Sequence, residues 1–325
     1  MNTGIPSRIL ITGYTGFVGS YLTQQCRAHN PNAQIFGLCR SAAAHSTVSG
    51  SIDVTPLVAD ITEPELVRLA VARSKPDLVF HLAAQPSVAS AWGDPIETLK
   101  VNAMGAINLF EALRTEHLTP CIILVGSGEQ YGMVRPEENP IREDYPFQPT
   151  NPYAVSKAAQ DLYGYQYFVA YGLPIVRMRP FNHFGPFQAS SFVVASFARQ
   201  IALIEAGETE PVLYVGNLQV KRDFLPVEDV VSAYLAAAER GQPGEAYNVG
   251  SGHGRSIEAI LDLLLSLTKM PIQVRTDPQR LRPVDLPLLE ADTTHLHAHT
   301  GWKPLVDFEW ALERTLDYWR SVIIT

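Results

Sequence analysis

One turn narrows the fold more than any other stretch of this chain. Arg8-Ile9-Leu10-Ile11-Thr12 reads as a short apolar strand, and Gly13-Tyr14-Thr15-Gly16-Phe17-Val18-Gly19 follows it directly, opening an amphipathic segment that runs to about Ala28. Glycine lacks the Cβ that would block a tight turn, keep a diphosphate from the backbone N–H groups of a helix N-terminus, or hold that helix off a sheet. Strand, glycine turn and helix in this order predict the first unit of an α/β fold with a parallel sheet.

The rest of the N-terminal half keeps the same rhythm. Apolar runs at Ile35–Cys39, Leu57–Ala59, Leu78–Leu82, Ile122–Gly126 and Ile175–Met178 alternate with helical spacing at Glu63–Arg73, Pro95–Thr115 and Asn151–Ala170. Continuous Val/Ile/Leu runs suit strands buried on both faces. The expectation is a doubly wound α/β domain of the Rossmann type over residues 1–180, with a returning segment at about 220–250. Beyond Pro180 prolines punctuate shorter elements, with helical spacing at Phe192–Ala206, Val227–Arg240, Ile257–Thr268 and Phe308–Ser321. A smaller α/β substrate-binding lobe from residues 181–219 and 251–325 is expected to close a cleft at the carboxyl ends of the strands.

Composition limits the partners. In 325 residues, 25 Lys and Arg stand against 33 Asp and Glu, a net charge of −8, which argues against nucleic acid. With 46% hydrophobic and 18% charged residues the chain is globular in composition. Cys26, Cys39 and Cys121 are too scattered for a metal or redox motif and read as reduced packing residues of a cytoplasmic protein. No apolar run is long enough to span a bilayer, and the first residues carry no secretory pattern.

Tyr153-Ala154-Val155-Ser156-Lys157 places an amine one helical turn after a phenol, so the two side chains share a face. A phenol is a weak acid–base group at neutral pH, and a neighbouring ammonium favours its phenolate. Ser127, in Val125-Gly126-Ser127-Gly128-Glu129-Gln130-Tyr131, supplies a hydroxyl that can hold a substrate carbonyl oxygen. The second strand ends Leu38-Cys39-Arg40-Ser41, with a guanidinium where NAD-binding folds place a carboxylate on the ribose 2′-OH. A guanidinium matches a 2′-phosphate, so NADP(H) is favoured and NAD(H) remains possible.

The G-x-x-G-x-x-G turn, Asp60-Ile61, Leu82-Ala83-Ala84, Asn102, Ser127 and Tyr153/Lys157, in this order, resemble the extended short-chain dehydrogenases/reductases that act on nucleotide sugars. The resemblance covers nearly the whole chain. It implies a cofactor site of Gly13, Thr15, Gly16, Phe17, Val18, Gly19, Arg40, Asp60, Ile61, Leu82, Ala83, Ala84, Tyr153, Lys157 and His183. In that site Asp60 and Ile61 flank the adenine, and Lys157 bonds the nicotinamide ribose. Further strings are Arg179-Pro180-Phe181-Asn182-His183-Phe184-Gly185-Pro186, Val215 to Phe224, Leu281-Arg282-Pro283-Val284-Asp285 and Gly301-Trp302-Lys303-Pro304. These resemble the GDP-mannose branch of the family, which holds 4,6-dehydratases and 4-keto reductases. The likeness implies a GDP-sugar substrate touching Ser127, Gly128, Asn182, Asn217 and Arg222, with Arg282 on the diphosphate and Asp285 on the ribose.

The likeness is closest to the reductases, through Asn182 to Pro186 and Asp277 to Pro287. It implies NADPH-dependent reduction of the C4 ketone of GDP-4-dehydro-6-deoxy-D-mannose to GDP-6-deoxy-D-mannose (GDP-D-rhamnose), with Ser127, Tyr153 and Lys157 as the acid–base groups. Glu129 keeps a second reading open, because dehydratases use a carboxylate there to remove the C5 proton, although reductases of the branch also carry an acid. The basic residues that follow the Asn-His string in dehydratases are replaced by Phe187-Gln188-Ala189, which favours the reductase. A non-catalytic dinucleotide-binding module is a third reading, and the joint presence of Ser127, Tyr153 and Lys157 argues against it.

Trp92, Trp302, Trp310 and Trp319 read as packing residues, and His295, His297 and His299 are expected to hold no metal. The family implies a homodimer or homotetramer paired through the helices at about 95–115 and 151–170; Tyr163 and Tyr167 suit such a face or an internal one. Arg40, Arg222 and Arg282 are expected to gather positive potential in the cleft, with the acidic excess outside.

Overall fold

The computed structural model describes residues 6–41, 53–281 and 285–324, so Arg282 lies outside the described residues. The chain opens with β1 (Arg8–Thr12), α1 (Phe17–His29), β2 (Gln34–Cys39), β3 (Thr55–Val58), α2 (Pro64–Ser74) and β4 (Leu78–His81). After β4 come α3 (Val88–Gly93), α4 (Pro95–Leu99), a π-helical turn (Lys100–Met104), α5 (Gly105–Thr115), β5 (Cys121–Val125), α6 (Pro152–Tyr171) and β6 (Ile175–Pro180). The second half holds β7 (Asn182–Phe184), α7 (Val193–Glu205), β8 (Val212–Val215), β9 (Lys221–Pro226), α8 (Val227–Arg240) and β10 (Ala246–Val249). It ends with β11 (Gly254–Ser256), α9 (Ile257–Ser266), β12 (Gln273–Thr276), β13 (Leu288–Leu289), α10 (Thr294–Thr300) and α11 (Phe308–Ile324).

Seven strands form one parallel sheet in the order β3-β2-β1-β4-β5-β6-β10. Alternate residues of each strand serve opposite faces. Ile9, Ile11, Phe80 and Ile123 pack with Leu22 and Cys26 of α1 and Val231 and Tyr234 of α8. Leu10, Val79, Ile122 and Leu124 pack with Val67 of α2, Leu109 and Phe110 of α5, and Tyr167 of α6. The order reverses between β1 and β4, which opens a crevice at their carboxyl ends. α8 and β10 return from the second half to complete this sheet, β10 pairing with β6.

The remaining strands build a small lobe. β9 lies between β11 and β13 and also pairs with β7, while β8 and β12 form a separate parallel pair. Phe197 and Ile201 of α7, Leu261 and Leu264 of α9, and Leu312 and Trp319 of α11 make its apolar core.

Several expectations need correction. Pro95–Thr115 is not one α-helix, because the π turn interrupts it and carries the fully buried Asn102 inward. Trp302 and Trp319 are buried, but Trp92 and Trp310 are 51% and 45% exposed, and the Arg314 guanidinium lies over the Trp310 ring, 4.8 Å from its centre. Tyr167 turns inward and donates to Glu111 at 2.7 Å, whereas Tyr163 stays exposed. Four residues advance a helix by about 40° beyond a full turn, enough to separate two positions at the edge of a buried stripe. His295, His297 and His299 serve different partners: the Ala246 carbonyl, the Trp302 carbonyl and the Tyr247 hydroxyl.

Candidate active site

The glycine turn interlocks three elements. Gly13 has φ +73°, and a Cβ there would come within 3.0 Å of the Ala83 backbone; one on Gly19 would come within 2.3 Å of the Gly13 carbonyl oxygen. Only chain without side chains at these points lets α1 start directly over the ends of β1 and β4. Gly16 caps α1 with no side-chain hydrogen bond, and the first turn contains no acid. The N–H donors and the positive end of the helix therefore meet a turn that is exposed at Gly16 and half-buried at Gly13 and Thr15, a cradle that fits the diphosphate of a dinucleotide. Thr15 and Val18 are half-buried around it. The Phe17 ring stacks on His183 at 6.1 Å, which brings β7 against the same helix start.

The Leu82–Ala84 segment is held from below. Thr12 Oγ1 accepts the N–H groups of Leu82 and Ala83, both at 3.1 Å, and lies 2.9 Å from His81 Nδ1. With its lone pairs engaged, the Thr12 hydroxyl donates to His81, which fixes a neutral ring protonated on Nε2. Burial, with the Lys157 charge as a second cause, brings the His81 pKa down to about 3. On the far side of the turn Arg40 is exposed at the end of β2, Ile61 is buried, and Asp60 Oδ1 accepts from the N–H and hydroxyl of Thr62.

Ser127 follows β5 and reaches the phenol of Tyr153, and Lys157 lies one turn on along α6; the expected lowering of the Tyr153 pKa by the Lys157 ammonium is not found, because burial dominates and Lys157 is not among the groups that shift it. Burial pushes the Tyr153 phenol up to about 12; its hydrogen bond with Ser127 acts the other way, and the nearby Glu129 charge raises it further. Lys157 is buried, donates to the Val125 carbonyl at 2.8 Å and to Gln160 Oε1 at 2.9 Å, and burial lowers its pKa to about 7. Asn102 accepts from the Gln85 N–H at 2.8 Å and donates to Ser156 Oγ at 2.8 Å, which ties the loop after β4 to α6. Glu129 accepts from Asn151 at 3.4 Å, and its own N–H donates to Ser127 Oγ at 3.2 Å.

Gly128 lies against Phe181, one residue before Asn182 on β7, and β7 pairs with β9 through Asn182 and Phe224. β9 carries Arg222, which donates to Asp285 at 2.7 Å and to the Leu286 carbonyl at 2.6 Å; Asn217 also donates to Asp285, at 3.3 Å. Arg222 and Asp285, which the resemblance sends to different parts of a ligand, meet each other, and the Asp285 carboxylate balances the positive charge expected of Arg222 in the cleft. Asp223 is buried and accepts from the N–H groups of Ser251, Gly252 and Ala291. Sequence reasoning passed over Thr12, His81, Gln160 and Asp161. Only Asp161 left a trace, lying on the stripe of Tyr153 and Lys157 at a further helical turn.

A family model described as GDP-mannose 4,6 dehydratase matches residues 10–315. The chain is 36% identical to GDP-6-deoxy-D-mannose reductase of Pseudomonas aeruginosa over 97% of each protein. It is 32% identical to GDP-mannose 4,6 dehydratase 2 of Arabidopsis thaliana, over 95% of this chain and 85% of that one. The solved structure of RMD from Pseudomonas aeruginosa complexed with NADPH superposes with a TM-score of 0.84 at 34% identity, over 97% of this chain and 100% of that one. Thermus thermophilus UDP-glucose 4-epimerase in complex with NAD gives a TM-score of 0.85 at 31% identity, over 96% and 99%. With the seven-stranded sheet, the uncapped glycine turn and the Ser-Tyr-Lys convergence in place, a match of this extent shows that the chain belongs to the GDP-mannose 4,6-dehydratase family of extended short-chain dehydrogenases/reductases.

Proposed function

We propose that this protein uses NADPH to reduce the C4 ketone of GDP-4-dehydro-6-deoxy-D-mannose to GDP-6-deoxy-D-mannose. The observation that carries the reading is the hydrogen-bonded Ser127–Tyr153 pair with Lys157 one turn on, beside an open glycine turn, in a chain 36% identical to a GDP-6-deoxy-D-mannose reductase. The glycine turn and Arg40 would hold NADPH, which would supply the hydride, a hydrogen with its electron pair, taken up at C4. Ser127 Oγ holds the ketone oxygen, and Tyr153 Oη gives its proton to that oxygen as negative charge develops there. The raised Tyr153 pKa keeps the phenol protonated at neutral pH, as an acid must be. Lys157, with a pKa near 7, can pass a proton towards Tyr153 and hold the cofactor ribose. Asn182, Asn217 and Arg222, together with Arg282 and Asp285, bind the nucleotide sugar.

The dehydratase reading rests on Glu129, whose carboxylate is near enough to Tyr153 to raise its pKa and which would be the C5 base in that reaction. Purified protein is incubated with GDP-mannose alone, then with the 4-keto nucleotide sugar and NADPH, and nicotinamide absorbance and sugar products are followed. Stoichiometric loss of NADPH supports the reductase; conversion of GDP-mannose with no net change in NADPH makes it a dehydratase. Tyr153→Phe should cut turnover by about 10²- to 10⁴-fold with NADPH affinity nearly unchanged. Ile96, Leu99, Met104, Leu162 and Val169 are exposed on α4, the π turn and α6, and support pairing of two copies through these helices.

A further inference from the structure

The groups assigned to the chemistry come from two elements that nothing covalent holds in register: Ser127 from the loop after β5, Tyr153 and Lys157 from α6. We infer that Gln130 and Asp161 form a clamp that sets Ser127 against Tyr153, with Gln130 as a positioning residue. The inference rests on the reading in which these three groups carry the reaction.

The fully buried Gln130 side chain makes two opposite bonds. Its Oε1 accepts the Ser127 N–H at 3.1 Å, and its Nε2 donates to Asp161 Oδ2 at 3.0 Å. Gly126 leaves the space, since a Cβ there would lie 2.7 Å from Gln130 Oε1. Asp161 lies four residues beyond Lys157 and eight beyond Tyr153, on the same stripe of α6. One amide thus joins the Ser127 loop to the helix that carries the phenol and the amine.

The far end of the clamp is rigid. Asp161 is buried and accepts from Arg179 Nε at 2.9 Å, Arg179 Nη2 at 3.0 Å and Arg177 Nη1 at 2.7 Å as well as from Gln130. Four donors saturate a carboxylate. Arg179 continues to the Tyr131 hydroxyl at 2.8 Å and the Glu143 carbonyl at 2.7 Å, so the carboxylate is braced on β6 and on the loop beyond Ser127. Only an amide suits position 130. A carboxylate there would face Asp161, and a thioether would leave the Ser127 N–H buried without an acceptor. A displacement of about 1 Å at such a pair is enough to cost on the order of 100-fold in rate.

The test measures single-turnover NADPH oxidation for Gln130→Met and Gln130→Glu, each with its pH profile and NADPH affinity. Gln130→Met is expected to lose on the order of 10- to 100-fold in rate with cofactor affinity within about twofold. Its alkaline limb should move to higher pH, because the Ser127 hydrogen bond that lowers the Tyr153 pKa is weakened. Gln130→Glu sets a second carboxylate against Asp161 and should lose at least as much rate as Gln130→Met. A wild-type rate and profile for Gln130→Met, or a wild-type rate for Gln130→Glu, overturns the clamp. Tyr153→Phe is run alongside: if it keeps turnover the catalytic reading fails, whereas if it loses turnover while Gln130→Met does not, only the clamp fails.

Discussion

Lys157 on α6 and Arg222 in the small lobe are both buried cations, and their surroundings differ. Lys157 donates to neutral acceptors, the Val125 carbonyl and Gln160, and its pKa falls to about 7. Arg222 meets the Asp285 carboxylate at 2.7 Å and keeps its charge. A buried ammonium without a counterion gives up its proton near neutrality, whereas an ion-paired guanidinium holds its charge and a fixed direction. The Lys157 site is therefore suited to proton exchange near neutrality, and the Arg222 site to holding a charge in place.

The largest test of this contrast is Lys157→Met. Turnover should fall by about 10²- to 10⁴-fold. Stability should move the other way. Between pH 7 and 10.5 the unfolded chain keeps a proton that folded Lys157 has lost, so the wild-type contribution rises with pH across that window and is lost as pH falls through it. Urea melts of the variant over that range should lack this rise and show a gain in stability at neutral pH; an unchanged slope would mean that the ammonium is not buried alone.

Asp285→Asn comes next. It leaves the Arg222 charge with the Leu286 and Lys221 carbonyls. The loss should be smaller than the roughly 3–5 kcal/mol of a fully buried pair, because the Asp285 side chain is 18% exposed. Denaturant midpoints measure it, and KM for the nucleotide sugar should rise while the single-turnover rate changes little. Equal stability in the two proteins would remove the distinction drawn between the two cations. The smallest effect is expected at Arg40, which lies exposed. Arg40→Asp should shift the NADPH-to-NADH affinity ratio by on the order of tenfold towards NADH, read by fluorescence titration, with no change in melting.

The parts legible in the sequence are local. The β1 glycine turn, the apolar runs of the large sheet and the Tyr153/Lys157 spacing each sit within one stretch of chain, where period and turn chemistry speak directly. The small lobe was harder to read. β7 and β11 have three residues each and β13 has two, too few to show a period. Trp92 and Trp310 misled because residue type states a preference for burial, while exposure depends on what packs over a short helix or a helix end.

The sequence by itself determined the doubly wound sheet, the cofactor turn and the identity of the Ser, Tyr and Lys groups, since each follows from neighbouring residues. Tertiary structure decided how those groups are held and charged. Thr12 reaches His81, Gln130 reaches Asp161 and Arg222 reaches Asp285 across 69, 31 and 63 positions. Such bonds form only when the sheet closes and water is excluded, and the same exclusion moves the Lys157 and Tyr153 pKa values. No window of sequence contains both partners, so the chemistry was spelled in the chain and its tuning in the fold.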